Sequence, residues 1–119
     1  MRILLVDDEA ELVSTLAERL SFRGFDADWA SSGEDAIKQV AKKHYDVAIL
    51  DIKIPKISGL ALKKILQEKN PLLKFIFVTG HGSEEDYKAG SVAAGEQYYL
   101  IKPVELDRLI EKIKEVANS

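Results

Sequence analysis

Ile3-Leu4-Leu5-Val6-Asp7-Asp8-Glu9 sets an unbroken apolar run directly against three acids, and this junction decides the fold. A run with no polar interruption suits a strand buried on both faces, as in a parallel sheet covered by helices on each side. Runs of the same kind return as Val47-Ala48-Ile49-Leu50, Phe75-Ile76-Phe77-Val78 and Tyr98-Tyr99-Leu100-Ile101. Phe25 to Ala30 differs, because Phe25, Ala27 and Trp29 alternate with Asp26 and Asp28. That alternation predicts a strand with one wetter face, at a sheet edge. Trp29 reads as core or edge packing.

Amphipathic stretches lie between these runs. Leu12, Leu16 and Leu20 recur every fourth residue with Val13 alongside, and Ala36, Ile37, Val40 and Ala41 form a second stripe. Leu62, Ile65 and Leu66 form a third, and Leu106, Leu109, Ile110, Ile113 and Val116 the last. Each predicts a helix with one buried face. Ser32 before the second stripe and Gly24 after the first are cap signals. Glu84 to Ala94 is the weakest helix, since it contains Gly90 and Ser91 and offers mainly Tyr87 and Val92 to a core. Low propensity and little apolar area predict a marginal element there.

Strand–helix repeated five times predicts an α/β fold, a doubly wound five-stranded parallel sheet with right-handed crossovers. The flavodoxin-like order 2-1-3-4-5 places the wetter second strand at an edge. The 119 residues fit one domain, 1–119, with no repeat or linker. A formal net charge of −3 lacks the basic footprint of nucleic-acid binding. The absence of cysteine excludes disulfides, thiolate metal sites and thiol catalysis. No apolar run is long enough to span a membrane, and the N-terminus does not read as a secretory signal. The expected location is cytoplasmic.

Ligands of such sheets sit at the carboxyl ends of the strands, near the switch point between strands 1 and 3. The residues there are Asp7, Asp8 and Glu9 after the first run, Asp51 after the third, Thr79-Gly80 after the fourth and Lys102-Pro103 after the fifth. Clustered carboxylates raise one another's pKa values unless a cation intervenes. A hard-oxygen set without His or Cys suits Mg2+. Magnesium, an ammonium and a hydroxyl around one carboxylate are what phosphoryl transfer to Asp51 requires. Each residue alone also has an ordinary reading. Asp7 or Asp8 serves as a turn former or helix cap, Thr79-Gly80 as loop chemistry, Lys102 as a solvated lysine, and Pro103 as a first-turn residue.

From Arg2 to about Ala117 the sequence resembles the receiver domain of bacterial response regulators, the aspartate-phosphorylated half of two-component signalling. The opening acids carry that resemblance, with Leu50-Asp51-Ile52-Lys53-Ile54-Pro55-Lys56-Ile57-Ser58-Gly59-Leu60, Val78-Thr79-Gly80-His81-Gly82 and Gly95 to Pro103. It implies that Asp51 is the phosphoacceptor and that Asp8 binds Mg2+ directly, with Asp7 supporting the ion. The Lys53 backbone carbonyl becomes a further ligand, and Thr79 and Lys102 contact the phosphoryl oxygens. Tyr99 matches an aromatic switch position, and equally reads as a strand aromatic packed at the core edge. Lys102-Pro103 is similar to a cis-prolyl turn, and Pro55 and Gly59 shape the loop after Asp51. Lys53 and His81 stand at variable positions and are expected to tune the lifetime of the phosphorylated state.

The implied donor is a sensor histidine kinase or phosphotransfer protein. The implied output is a linked domain or downstream protein, reached through the face of the Glu84–Ala94 segment, the Tyr98–Ile101 strand and the last helix. A phosphorylation-dependent dimer is a further implication. The chain is expected to act on itself alone and not as an enzyme. A haloacid-dehalogenase-like phosphatase would need an acid two residues after the nucleophile, where Lys53 stands. A flavodoxin-like flavin module would need a Ser/Thr/Gly-rich loop after the first strand, where acids stand. The remaining rival is a phosphorylation-independent interaction module with a vestigial site.

Overall fold

Each apolar run becomes a strand and each amphipathic stretch a helix within residues 1–80 and 98–118, the residues described by this computed structural model. The elements are β1 (Arg2–Val6), α1 (Ala10–Phe22), β2 (Asp26–Ala30), α2 (Gly33–Lys42), β3 (Val47–Asp51), α3 (Gly59–Lys69), β4 (Lys74–Thr79), β5 (Tyr99–Ile101) and α4 (Leu106–Ala117). The weak helix expected over Glu84–Ala94, and His81, lie outside the described residues.

The strands form one five-stranded sheet in the order β2-β1-β3-β4-β5. Every pairing is parallel, with Leu5 opposite Trp29 and Ile49, and Leu50 opposite Phe77. The sheet divides the core into two layers. Leu4, Val6, Leu50, Phe77 and Tyr99 belong to the layer under α2 and α3. Ile3, Leu5, Ile49, Val78 and Leu100 belong to the layer under α1 and α4. Alternate residues of each strand go to opposite layers, which is why the runs carry no polar break.

The edge strand β2 bears its charge as expected. Asp28 accepts hydrogen bonds from the Tyr45 hydroxyl at 2.6 Å and Lys43 Nζ at 2.9 Å, joining β2 to the chain just beyond α2. Trp29 is 39% exposed, at the edge and not in the core. Ser32 caps α2 by accepting from the Asp35 N–H, and Ser58 caps α3 by accepting from Ala61. Gly24 follows α1 with φ +94, a conformation that favours glycine.

Two stripes need correction. α1 buries Val13, Ala17 and Leu20, while Leu16 is half-buried and Leu12 is 47% exposed. A row at four-residue spacing drifts by about 40° per step around a helix of 3.6 residues per turn, so Leu12 and Leu20 point about 80° apart. In α2, Ala36 and Val40 are buried but Ala41 is exposed. Asp51 and Thr79 are the last residues of their strands and do not stand beyond them.

Candidate functional site

The site follows from strand alternation carried one residue past the core. Leu5, Ile49 and Leu100 all face the α1–α4 layer. Two residues later on the same face come Asp7, Asp51 and Lys102. The Asp7 N–H donates to the Ala30 carbonyl at 3.2 Å, and the Lys102 N–H to the Thr79 carbonyl at 2.8 Å. Both bonds hold the sheet's spacing past the formal strand ends.

Lys102 Nζ forms ion pairs with Asp7 Oδ2 and, at 3.2 Å, with Asp51 Oδ2. Glu9 Oε1 lies 3.6 Å from the same ammonium. The other carboxylate oxygens accept backbone N–H groups: Asp7 Oδ1 from Glu9 at 3.0 Å, and Asp51 Oδ1 from Lys53 at 3.1 Å. Those bonds fix the orientation of both carboxylates. Asp7 and Asp51 are buried and Asp8 is exposed, yet one oxygen of each lies within 4.8 Å of the others.

Burial pushes the Asp51 carboxyl above its usual range, and the nearby Asp7 charge adds to that. The Lys53 N–H and the Lys102 ammonium oppose the shift without cancelling it. Lys102 is itself pulled down by burial, but the bonds and charges of Asp7 and Asp51 more than offset this and hold its pKa above the ordinary value. The ammonium therefore stays charged, and four acids (Asp7, Asp8, Glu9 and Asp51) around one cation leave a local excess of negative charge. A donor set of carboxylate oxygens, with one acid open to solvent, fits a hard divalent cation.

The loop from Ile52 to Ser58 closes tightly on this site. The Gly59 N–H donates to the Ile52 carbonyl at 2.8 Å. A Cβ on Gly59 would stand 2.3 Å from the Asp51 carbonyl oxygen, so only glycine allows α3 to start here. Lys102-Pro103 is a cis peptide bond, as the resemblance implied.

Thr79 is 1% exposed and ends β4 on the opposite face, shared with Phe77 and Tyr99. Tyr99 is buried, packed in the α2–α3 layer. Lys53 is exposed and contributes its N–H to Asp51. The structure thus joins Asp7, Asp51 and Lys102 directly, brings Asp8 alongside, and sets Thr79 and Tyr99 across the sheet. Sequence reasoning missed the Glu9 contact to Lys102 and the backbone approach at Gly59. The first had a signal in the third acid of the opening run, and the second in a glycine at a helix start.

The family model described as "Response regulator receiver domain" matches residues 3–114. The transcriptional regulatory protein DltR of Streptococcus agalactiae is 32% identical over 114 residues, which cover 96% of this chain and 50% of that protein. The chain spans about half the length of such curated relatives. A CheY-like response regulator receiver domain protein from Methanospirillum hungatei superposes with a TM-score of 0.87 at 32% identity, covering 98% of this chain and 93% of that one. The response regulator protein TrrA of Thermotoga maritima, solved in complex with Mg(2+)-BeF, has a TM-score of 0.81 at 38% identity, with 97% of each chain covered. The fold is shared with these structures and the family model matches nearly the whole chain, and the chain belongs to the response regulator receiver domain family.

Proposed function

We propose that Asp51 accepts a phosphoryl group in a Mg2+-dependent reaction and that the modification switches the domain's surface. The observation that carries this reading is the buried Asp51 carboxylate, oriented by the Lys53 N–H and paired with Lys102 at 3.2 Å beside two further acids. Asp7, Asp8, Asp51 and the Lys53 carbonyl would hold the ion. When bound, Mg2+ supplies charge neutralisation for the incoming phosphoryl oxygens and for the acid cluster.

The chain's own residues do the rest. Asp51 attacks phosphorus with the oxygen not held by Lys53. Lys102 is released from its carboxylates to meet the phosphoryl oxygens, whose negative charge replaces that of the carboxylates beside its ammonium. Thr79, at the rim of the adjacent strand, donates its hydroxyl to the same oxygens. Tyr99, on the same face as Thr79, takes up the space and the strain of that movement. The acyl phosphate carries a charge of about −2 at neutral pH in place of the carboxylate's −1, and this change shifts the domain by its different free energy in the two arrangements.

The donor is a sensor histidine kinase or phosphotransfer protein. The output is a linked domain or a downstream protein docking beside β5 and α4, with phosphorylation-dependent dimerisation as one form of it. Lys53, exposed two residues after Asp51, tunes the lifetime of the modified state. An unchanged dephosphorylation rate in Lys53→Ala would remove that role.

Intact-mass spectrometry after incubation with acetyl phosphate and Mg2+ tests the proposal, with Asp51→Asn in parallel. A single Mg2+-dependent phosphoryl adduct on the wild type alone is the expected result. No adduct despite demonstrated Mg2+ binding, and none from a phosphorylated kinase, would leave the domain as a phosphorylation-independent interaction module.

A further inference from the structure

A cleft of about 590 Å3 opens beside Asp51 and runs between α1 and the segment leading into α4. That volume lies within the ~300–1,000 Å3 range of small-ligand pockets. Its two ends differ in chemistry. Asp7, Asp51 and Lys102 line one end, and Leu12, Leu16, Val104 and Leu109 line the other. The cleft is a hole and not a flat patch, because the strand residues Leu5, Ile49 and Val78 form its floor. Leu12, the α1 leucine turned away from the sheet, stands 47% exposed at the same cleft.

Resting on the phosphoacceptor reading above, we infer that the small-molecule donors this site takes best are acyl phosphates with a medium-length aliphatic tail. The observation is one-ended charge. The phosphoryl head belongs at Asp51, and among the described residues the lining beyond Asp7, Glu9, Asp51 and Lys102 carries no further charged side chain. An acyl chain of several carbons fills such a space, whereas an acetyl group leaves it empty.

In the step, an Asp51 carboxylate oxygen bonds to phosphorus as the bond from phosphorus to the acyl oxygen breaks. The electron pair leaves with the acyl group as a carboxylate, and no proton need move. Straight-chain carboxylic acids differ little in acidity, so leaving-group ability is nearly constant along the series. A difference in rate therefore reads binding of the tail.

The test compares acetyl, butyryl and hexanoyl phosphate at saturating Mg2+, following the Asp51 adduct by intact mass. The half-saturating concentration should fall along the series, by up to about fourfold for each methylene that is fully buried. Leu12→Glu, at an exposed position where folding is not at risk, should flatten the series toward the acetyl value. The stable analogue 2-oxoheptylphosphonate should shift the methyl NMR signals of Leu12, Leu16 and Val104 in the wild type. Equal constants for all three donors, with adducts forming normally, would overturn the inference and leave the phosphoacceptor reading intact. A steep series retained in Leu12→Glu would also overturn it, since the tail would then bind elsewhere. A flat series, with Leu12→Glu slowing transfer only from a phosphohistidine protein, would assign the cleft to a protein side chain instead. No adduct from any donor, including a phosphorylated kinase, would remove the phosphoacceptor reading itself.

Discussion

At the residue scale, Asp51 is the point of greatest tension. Its carboxylate is buried beside Asp7, and Lys102 does not fully compensate. Asp51→Asn is therefore expected to stabilise the metal-free domain, by on the order of 1 kcal/mol. Magnesium should stabilise the wild type by mass action, by about 2.7 kcal/mol at a hundred times its Kd, and Asp51→Asn much less. Thermal melts of both proteins with and without Mg2+ check this. Equal metal-free melting temperatures would count against the cluster. Lys56 is a second such residue. Its φ of +72 is a left-handed conformation that a side chain disfavours. Lys56→Gly should raise stability by about 0.5–1 kcal/mol, and Lys56→Val should lower it by ~1–2 kcal/mol, in urea unfolding. The acids and Lys102 were legible in the sequence, because each directly follows an apolar run. The strain at Lys56 was not, since nothing in residue order fixes a loop's dihedral angles.

At the element scale, α1 shows where pattern reading stops. Its leucines all looked equivalent, yet Leu20 is fully buried and Leu12 stands out in solvent. Which face meets a sheet depends on helix phase and strand twist, and four-residue spacing does not report either. Leu20→Ala should cost about 2–5 kcal/mol and Leu12→Ala under 0.5 kcal/mol, as measured by denaturant midpoints. The sheet order, by contrast, was legible, because only β2 alternated acid with apolar residues. That alternation has a consequence for pH. Burial alone would raise the Asp28 carboxyl, but the Tyr45 hydroxyl and the Lys43 ammonium together hold it below its usual value of 3.8. Its contribution is complete above that unfolded value and is lost as pH falls through the lower folded one. Urea midpoints between pH 5 and 2 should therefore decline more steeply for the wild type than for Asp28→Asn. Equal slopes would show that the β2–Tyr45 contact carries no linked proton.

At the scale of the whole molecule, both core layers were implied by the unbroken apolar runs, and the single active rim by the residues that follow them. The side of the sheet on which each site residue falls was also implicit, since Asp7, Asp51 and Lys102 sit an even number of residues after members of one layer. Thr79 follows Phe77 of the other layer by the same count. The tertiary detail that escaped was the closeness of the loop at Gly59 to the Asp51 backbone, which depends on where α3 starts in space. It explains how the loop after Asp51 is held: its far end at Gly59 is clamped against the Asp51 backbone.

The placement of Thr79 and Tyr99 across the sheet from Asp51 and Lys102 makes the five strands an insulator with one terminal on each side. Within the described residues, the wire between them is the short rim where β4 ends and the Lys102 amide is pinned to Thr79. Substitutions around Tyr99 thus act in one layer and substitutions in the acid–lysine cluster in the other, with Thr79 at the rim the two layers share.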